Sequence, residues 1–192
     1  MAMDQDLELM LRVRRGDAES FELLLRRHRT PLINYFSRMV RDRSLAEDLA
    51  QEAFLRVYQA RQRYQPEARF TTWLYRIATN LALNAIRDRR GTAQPIECAE
   101  QENAEFSRFV DSKPTVEQRL MQSDRERLIR QAVEALPANQ RAAVILHKYQ
   151  EVEYHQIAKI LGVSVGAVKS LLFRAYESLR TRLQPLLEGG EL

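Results

Sequence analysis

The feature that most constrains this chain is the spacing of its helix breakers. Its 192 residues hold only six glycines and six prolines. Long stretches between them carry apolar residues at i, i+3, i+4 and i+7, and no segment alternates apolar and polar residues over a strand length. A chain patterned this way packs helices. One helix is expected near 4–15, stopping at Gly16-Asp17, and a second at 18–40 with Pro31 positioned to bend or divide it. A third is expected at 44–62, capped by Ser44, and a fourth at 70–90, ending at Gly91. A second group is expected at 116–135, 138–150, 153–161 and 165–184, with breaks at Pro137, around Glu151 and at Gly162-Val163-Ser164.

Charge divides the chain the same way. Residues 1–91 carry a net +5, residues 92–118 a net −4 and residues 119–192 a net +3, within a total of +4. The middle segment has two prolines and no clean period, so it reads as an interdomain linker whose Phe106, Phe109 and Val110 are free to dock. The expected fold class is all-α: two small helical domains, 1–91 and 119–192, joined by an acidic linker, 92–118.

Several function classes fall away. The longest unbroken apolar run, Ala142 to Leu146, is far short of the roughly 20 residues that span a bilayer. The N-terminus "MAMDQDLELMLRVRRGD" is charged throughout and has no signal-peptide core, so an intracellular protein is expected. Cys98 is the sole cysteine, and His28, His147 and His155 have no metal-ligand spacing. No metal and no cofactor are expected. Neither is a fused regulatory domain after Leu187.

Three segments carry chemistry. In "YHQIAKILGVSVGAVKSLLFRAYESL" (154–179) a small Ala158 suits a close helix crossing, and Gly162 suits a turn with positive φ. Ser164 is placed to cap the next helix, and Ile157, Leu161, Val163, Val168 and Leu171 or Leu172 fill a small core. That is a helix-turn-helix, whose second helix offers Gly166, Ala167, Lys169 and Ser170 to base edges and Arg174 to a phosphate. On the helix at 44–62, Leu45, Leu49, Ala53 and Val57 form a core face. Asp48, Gln51, Glu52 and Leu55 share another side, with Phe54 beside them. A mixed acidic and apolar patch suits a basic partner helix.

The third segment opens with "FTTWLYRIATN" (70–80). Phe70, Trp73, Leu74, Ile77, Leu81, Ala85 and Ile86 make one apolar stripe. Thr72, Arg76, Thr79, Asn80, Asn84 and Arg87 occupy the other side. Arg76, Asn80, Asn84 and Arg87 are four, four and three residues apart, so they share a face about 16 Å long. Aligned amides and guanidiniums supply what bases and phosphates require. "RDRR" (87–90) adds charge that also suits the helix dipole. Tyr64 and Phe70 flank the preceding loop, where aromatic rings suit an unstacked base.

"AEDLAQEAFLRVYQA" (46–60), "FTTWLYRIATN" and the terminal helix-turn-helix together resemble the bacterial RNA polymerase sigma factors, most nearly the extracytoplasmic-function (ECF) group. "LPANQRAAVIL" (136–146) is similar to the segment that precedes the family's helix-turn-helix. The resemblance covers nearly the whole chain and implies a region 2-like domain, a linker and a region 4-like domain. It implies that Asp48, Gln51, Glu52, Phe54 and Leu55 dock on the β′ coiled coil of core polymerase, with the β flap as a further polymerase contact. It implies that Tyr64 to Phe70 capture a flipped base. Thr72, Trp73, Arg76, Asn80, Asn84 and Arg87 would then serve the downstream promoter element, at roughly −10, with Trp73 in the strand-separating segment. Ser164, Gly166, Ala167, Lys169, Ser170, Phe173 and Arg174 would serve the upstream element at roughly −35. The acidic linker would thread toward the polymerase active centre.

The further implications are no catalysis, promoter DNA as ligand, and an anti-sigma factor that restrains the protein in the cytoplasm or at the membrane. A stress or envelope regulon is the expected target. Leu171 and Tyr176 stand where relatives often have basic residues, and Pro66 stands in the capture loop where a small flexible residue is common. Two other classes compete. A stand-alone regulator with a helical sensor domain needs a ligand pocket, and a DNA-processing enzyme needs a metal-binding carboxylate cluster or positioned nucleophile. No segment marks any of these.

Overall fold

A computed structural model of the chain describes residues 5–66, 69–91 and 116–188. The expected linker, 92–118, lies almost wholly outside the described residues. Among those described, eight α-helices and one 3-10 turn account for the architecture. They are α1 (Gln5–Arg14), α2 (Ala18–Val40), α3 (Arg43–Gln59), α4 (Phe70–Gly91), α5 (Val116–Glu134), α6 (Ala138–Tyr149), α7 (Tyr154–Leu161) and α8 (Val165–Glu188), with the turn at Arg61–Arg63.

The breakers act where expected. Gly16, at φ 96°, ends α1 in a conformation that side chains rarely adopt. Asp17 then caps α2, its carboxylate accepting the Glu19 and Ser20 N–H groups at 3.0 and 3.2 Å. α2 runs unbroken through Pro31, so the expected division there does not occur. Leu24, Leu32, Tyr35, Phe36 and Met39 bury its core face on both sides of the proline, and that burial outweighs one lost backbone bond.

Two sequence expectations are corrected at the next corner. Ser44 does not cap α3; Asp42 does, with extended backbone and an oxygen accepting the Leu45 N–H at 3.0 Å. Arg89, reaching back from α4, donates to the same carboxylate at 2.6 Å and to the Val40 carbonyl at 3.2 Å. This external guanidinium fixes the register of the cap, and no local pattern reports it. α3 also stops at Gln59, where the chain tightens into the 3-10 turn.

α1 to α4 pack around Met10, Leu24, Leu32, Tyr35, Phe36, Phe70 and Leu74, and α6 to α8 around Ile145, Leu146, Ile157, Val168 and Leu172. The two groups also touch. α2 and α4 meet α5, α6 and α7, so the buried residues form one connected core. Arg141, only 6% exposed, stitches them. It donates to the Met39 carbonyl at 2.6 Å and the Leu136 carbonyl at 3.2 Å, and also to the Glu134 carbonyl. A buried guanidinium is tolerated here because the last carbonyls of α2 and α5 carry the negative ends of two helix dipoles.

The Leu45 N–H, and then Arg89, hold the Asp42 carboxyl below the usual aspartate range. A depressed folded value means that its contribution is present above the unfolded value of about 3.9 and fades as pH falls through the folded one. Asp42→Ala is expected to lower unfolding free energy by about 1–2 kcal/mol at neutral pH. Urea denaturation across pH checks this: the gap from wild type should close in acid.

Candidate nucleic-acid and partner interfaces

The face expected to dock a partner is built by α3. Ala46, Leu49, Ala50, Ala53, Phe54 and Val57 turn inward. Asp48, Gln51 and Leu55 are left in water, and Glu52 pairs with Arg56 at 2.7 Å. Leu55 is 51% exposed, which is costly for a large apolar side chain unless something covers it. It lies on the lip of a groove between α2 and α3 with a volume of about 450 Å³. Phe21, Leu25 and Ile33 form one wall and Phe54, Leu55 and Tyr58 the other, while Arg29, Glu47 and Gln51 supply polar edges. Phe21 meets Phe54 edge-on and Tyr58 at a tilt, with ring centroids 6.5 and 5.0 Å apart.

Phe54 is 5% exposed, so it is a wall of that groove rather than a projecting contact. Sequence reasoning missed the α2 wall. The available signal was a stripe too wide for one buried face: Phe21, Leu25 and Ile33 run beside Leu24, Leu32 and Phe36.

On α4 the four residues read as a face do share one. Arg76, Asn80, Asn84 and Arg87 are all exposed. Arg87 lies 3.6 Å from Asp88. Arg89 points away from this strip into the α2–α3 corner, so within "RDRR" Arg87 faces outward and Arg89 is structural, while the side chain of Arg90 lies outside the described residues. Thr72 and Thr79 do not belong to the strip: they are 7% and 1% exposed. Thr79 shares a buried 2.7 Å hydrogen bond with the Tyr35 hydroxyl, and burial pushes the Tyr35 phenol well above its ordinary pKa. The reason is packing. α4 contacts α2, α3 and α7, so only a narrow strip remains in water.

The aromatic residues at the head of α4 are also packed more tightly than expected. Tyr64 is 2% exposed and Phe70 fully buried. Their rings and that of Trp73 form one cluster, with Tyr64 5.1 Å and Phe70 6.4 Å from Trp73. Trp73 is partly buried against the core, the side that its spacing indicates. A base could stack on Tyr64 or Phe70 only after this cluster opens. Gln65, Pro66 and Arg69 are exposed beside it, and Glu67 and Ala68 lie outside the described residues. α1 braces the segment: Arg14 donates to the Tyr64 carbonyl at 3.2 Å, and Gln62 donates to the Arg14 carbonyl at 2.7 Å.

α7 and α8 meet at 98°, the crossing of a helix-turn-helix. Gly162 has φ 67° and ψ 35°, and Ser164 Oγ accepts the Ala167 N–H at 3.1 Å. Ile157, Ala158, Val168 and Leu172 are buried as expected. Val163 is 39% exposed and does not join the core; Ile160 fills that role, because Gly162 turns the following residue outward. At the start of α8, Ser164, Gly166, Lys169, Ser170 and Arg174 are exposed, and Ala167 is partly covered. Ser170 donates to the Gly166 carbonyl at 3.1 Å, so its outward lone pairs can only accept. Phe173 is 68% exposed, an apolar ring held in water on a face of polar groups. Tyr176 is 40% exposed one turn on.

No single helix among the described residues is long and apolar enough to cross a membrane. No group of three or more His, Cys, Asp or Glu side chains among them is placed to hold a metal ion.

Comparison with known proteins gives this geometry a family. Residues 24–92 match the family model for Sigma-70 region 2, and residues 126–179 that for Sigma-70, region 4. The chain is 33% identical over 189 residues to the RNA polymerase sigma-H factor of Pseudomonas aeruginosa, an alignment covering 97% of this chain and 98% of that one. It is 32% identical over 184 residues to the ECF RNA polymerase sigma-E factor of Escherichia coli K12, covering 95% and 96%. Two solved structures share the fold. One is CnrH in complex with the cytosolic domain of CnrY, at TM-score 0.70 and 21% identity over 95% of this chain and 99% of that one. The other is the sigma factor RpoE in complex with the anti-sigma factor NepR from Bartonella quintana, at TM-score 0.65 and 22% identity over 87% and 98%. With both regions matched in order and the alignments running nearly end to end, the chain belongs to the ECF group of RNA polymerase sigma factors, the dissociable subunits through which polymerase recognises promoters.

Proposed function

We propose that the chain divides promoter recognition between its halves. Residues 1–91 dock on core polymerase and recognise and open the downstream element; residues 119–192 read the upstream element; residues 92–118 thread between them toward the active centre. The observation that carries this reading is the strip of Arg76, Asn80, Asn84 and Arg87, left in water along a helix whose opposite face is buried. Donors, acceptors and positive charge aligned over about 16 Å fit nucleic acid better than a merely solvated face.

The α2–α3 groove takes an apolar helix edge of polymerase, with Asp48 and Glu52 meeting its basic residues. Gly166 lets the duplex backbone approach α8, Lys169 and Arg174 meet phosphates or guanine edges, and Phe173 meets a thymine methyl. The chain has no chemistry of its own: polymerase makes the bonds. It acts in the cytoplasm under an anti-sigma factor, a reading supported by its shared fold with RpoE, which is seen in complex with the anti-sigma factor NepR. Its likeness to sigma-E factors supports a stress or envelope regulon.

In vitro transcription with core polymerase over a randomised promoter library tests the whole reading. Tight, sequence-specific duplex binding by the isolated chain, with no polymerase binding, would favour a stand-alone regulator instead. Leu55→Arg is expected to weaken polymerase binding at least tenfold in a pull-down while leaving the thermal midpoint nearly unchanged, since Leu55 is half in water. Asn80→Ala should slow strand opening, read by permanganate reactivity of unpaired thymines, with polymerase affinity intact and stability within about 0.5 kcal/mol. Lys169→Ala should weaken upstream binding and lower the salt slope of holoenzyme–promoter association by about one.

A further inference from the structure

One buried polar pair belongs to neither recognition face. Asp6 of α1 is 7% exposed and His28 of α2 is 9% exposed, and His28 Nε2 lies 2.7 Å from Asp6 Oδ2. Arg27 donates to the other oxygen of the same carboxylate, and to Gln5 Oε1 at 3.3 Å. Both oxygens are engaged, as a buried carboxylate requires. A pair of this kind adds little stability over apolar side chains of similar volume. What it supplies is direction, because a hydrogen bond fixes the angle of the ring that makes it. The ring of His28, so oriented, lies against Phe70, with centroids 5.3 Å apart and planes at 55°.

α1 carries a second tie at its other end. About 12 Å further along the helix, Arg14 donates to the Tyr64 carbonyl at 3.2 Å. Gln62 returns a bond to the Arg14 carbonyl at 2.7 Å. α1 thus packs on both the 3-10 turn and α4. Through His28 it bears on Phe70, and through Arg14 it holds Tyr64. Trp73 packs against both rings, 6.4 Å from Phe70 and 5.1 Å from Tyr64. With Phe70 fully buried and Tyr64 2% exposed, neither ring offers a face to a base while this brace holds.

We propose that His28 is a positioning residue for strand opening. Bound to Asp6, it latches α1 against the Tyr64–Phe70–Trp73 cluster and keeps the cluster closed in the free chain. The strength of that latch sets how readily the rings part to take an unpaired base. His28 and Asp6 are both too buried to touch DNA, so the effect runs through Phe70. The inference rests on the reading of residues 1–91 as the half that opens the downstream element.

Trp73 is the sole tryptophan, so its emission reports on the cluster. In the free chain, well below the thermal midpoint, His28→Ala and Asp6→Asn should each raise acrylamide quenching of Trp73 at least twofold. Arg14→Ala, which cuts the other tie of the same brace, should do the same. Holoenzymes carrying these variants should open a promoter at least threefold faster by permanganate reactivity, with polymerase affinity in a pull-down unchanged. Asp42→Ala is the control: it destabilises a different corner and should move neither quenching nor opening rate. If His28→Ala does not fold, Asp6→Asn, which keeps the volume of the pair, decides by the same two readouts. Wild-type quenching in the variants, or an equal rise in Asp42→Ala, overturns the latch. Exposed Trp73 with opening unchanged or slower also overturns it, and the promoter reading then stands. If the wild-type holoenzyme opens no promoter, the promoter reading fails, and the role of the latch in opening fails with it.

Discussion

The last carbonyls of α2 are the point on which the rest of the structure depends. A helix end buried in a protein needs donors, and α2 ends inside this one. The donors come from far along the chain. Arg89 serves Val40 and also orders the cap of α3, and Arg141 serves Met39 while tying the end of α5. Arg41 takes the left-handed conformation, at φ 63°, and faces Glu134. Three arginines therefore set the angle between α2 and α3 and the seat of α6 against them. Removing Arg141 takes the donor from buried carbonyls in a low-dielectric corner, where such losses are most costly, whereas Arg41 and Arg89 are nearly half in water and contribute less.

That corner decides how much of α4 is left for recognition. α2 and α3 take one side of α4, and α7 takes another. The polar strip is what remains. The same economy shapes α8, where Val168, Leu172 and Ala175 are buried and the next residues round the helix, Lys169, Ser170, Phe173 and Arg174, face outward. In both helices recognition groups are presented by helical backbone anchored through a buried face. Rigid presentation lowers the entropy lost when a ligand orders them.

Much of this was legible in the sequence, for local reasons. Helix boundaries follow Gly16, Asp17, Pro137 and Gly162, whose effects act within a turn. The spacing of Arg76, Asn80, Asn84 and Arg87 gave the strip, because a helical period needs no tertiary knowledge. What stayed hidden depends on partners distant in the chain. Asp42 displaced Ser44 as a cap because of Arg89. Thr79 left the polar side because Tyr35 offers it a buried hydroxyl, and Thr72 because α4 is enclosed by its neighbours. Tyr64 and Phe70 looked available because aromatic residues flanking a loop carry no mark of mutual packing. The second wall of the α2–α3 groove was visible only as excess apolar width. The groove between the walls requires knowing which helix lies alongside.

The Tyr35–Thr79 pair has a consequence for how such a chain can diverge. Each hydroxyl is the buried partner of the other across 44 positions. Losing one strands the second, at about 1–3 kcal/mol, whereas replacing both by apolar groups of similar shape is nearly neutral. A lineage can therefore cross from the hydroxyl pair to an apolar pair only through a less stable intermediate. Positions 35 and 79 should be inherited together, as one unit of variation spanning two helices.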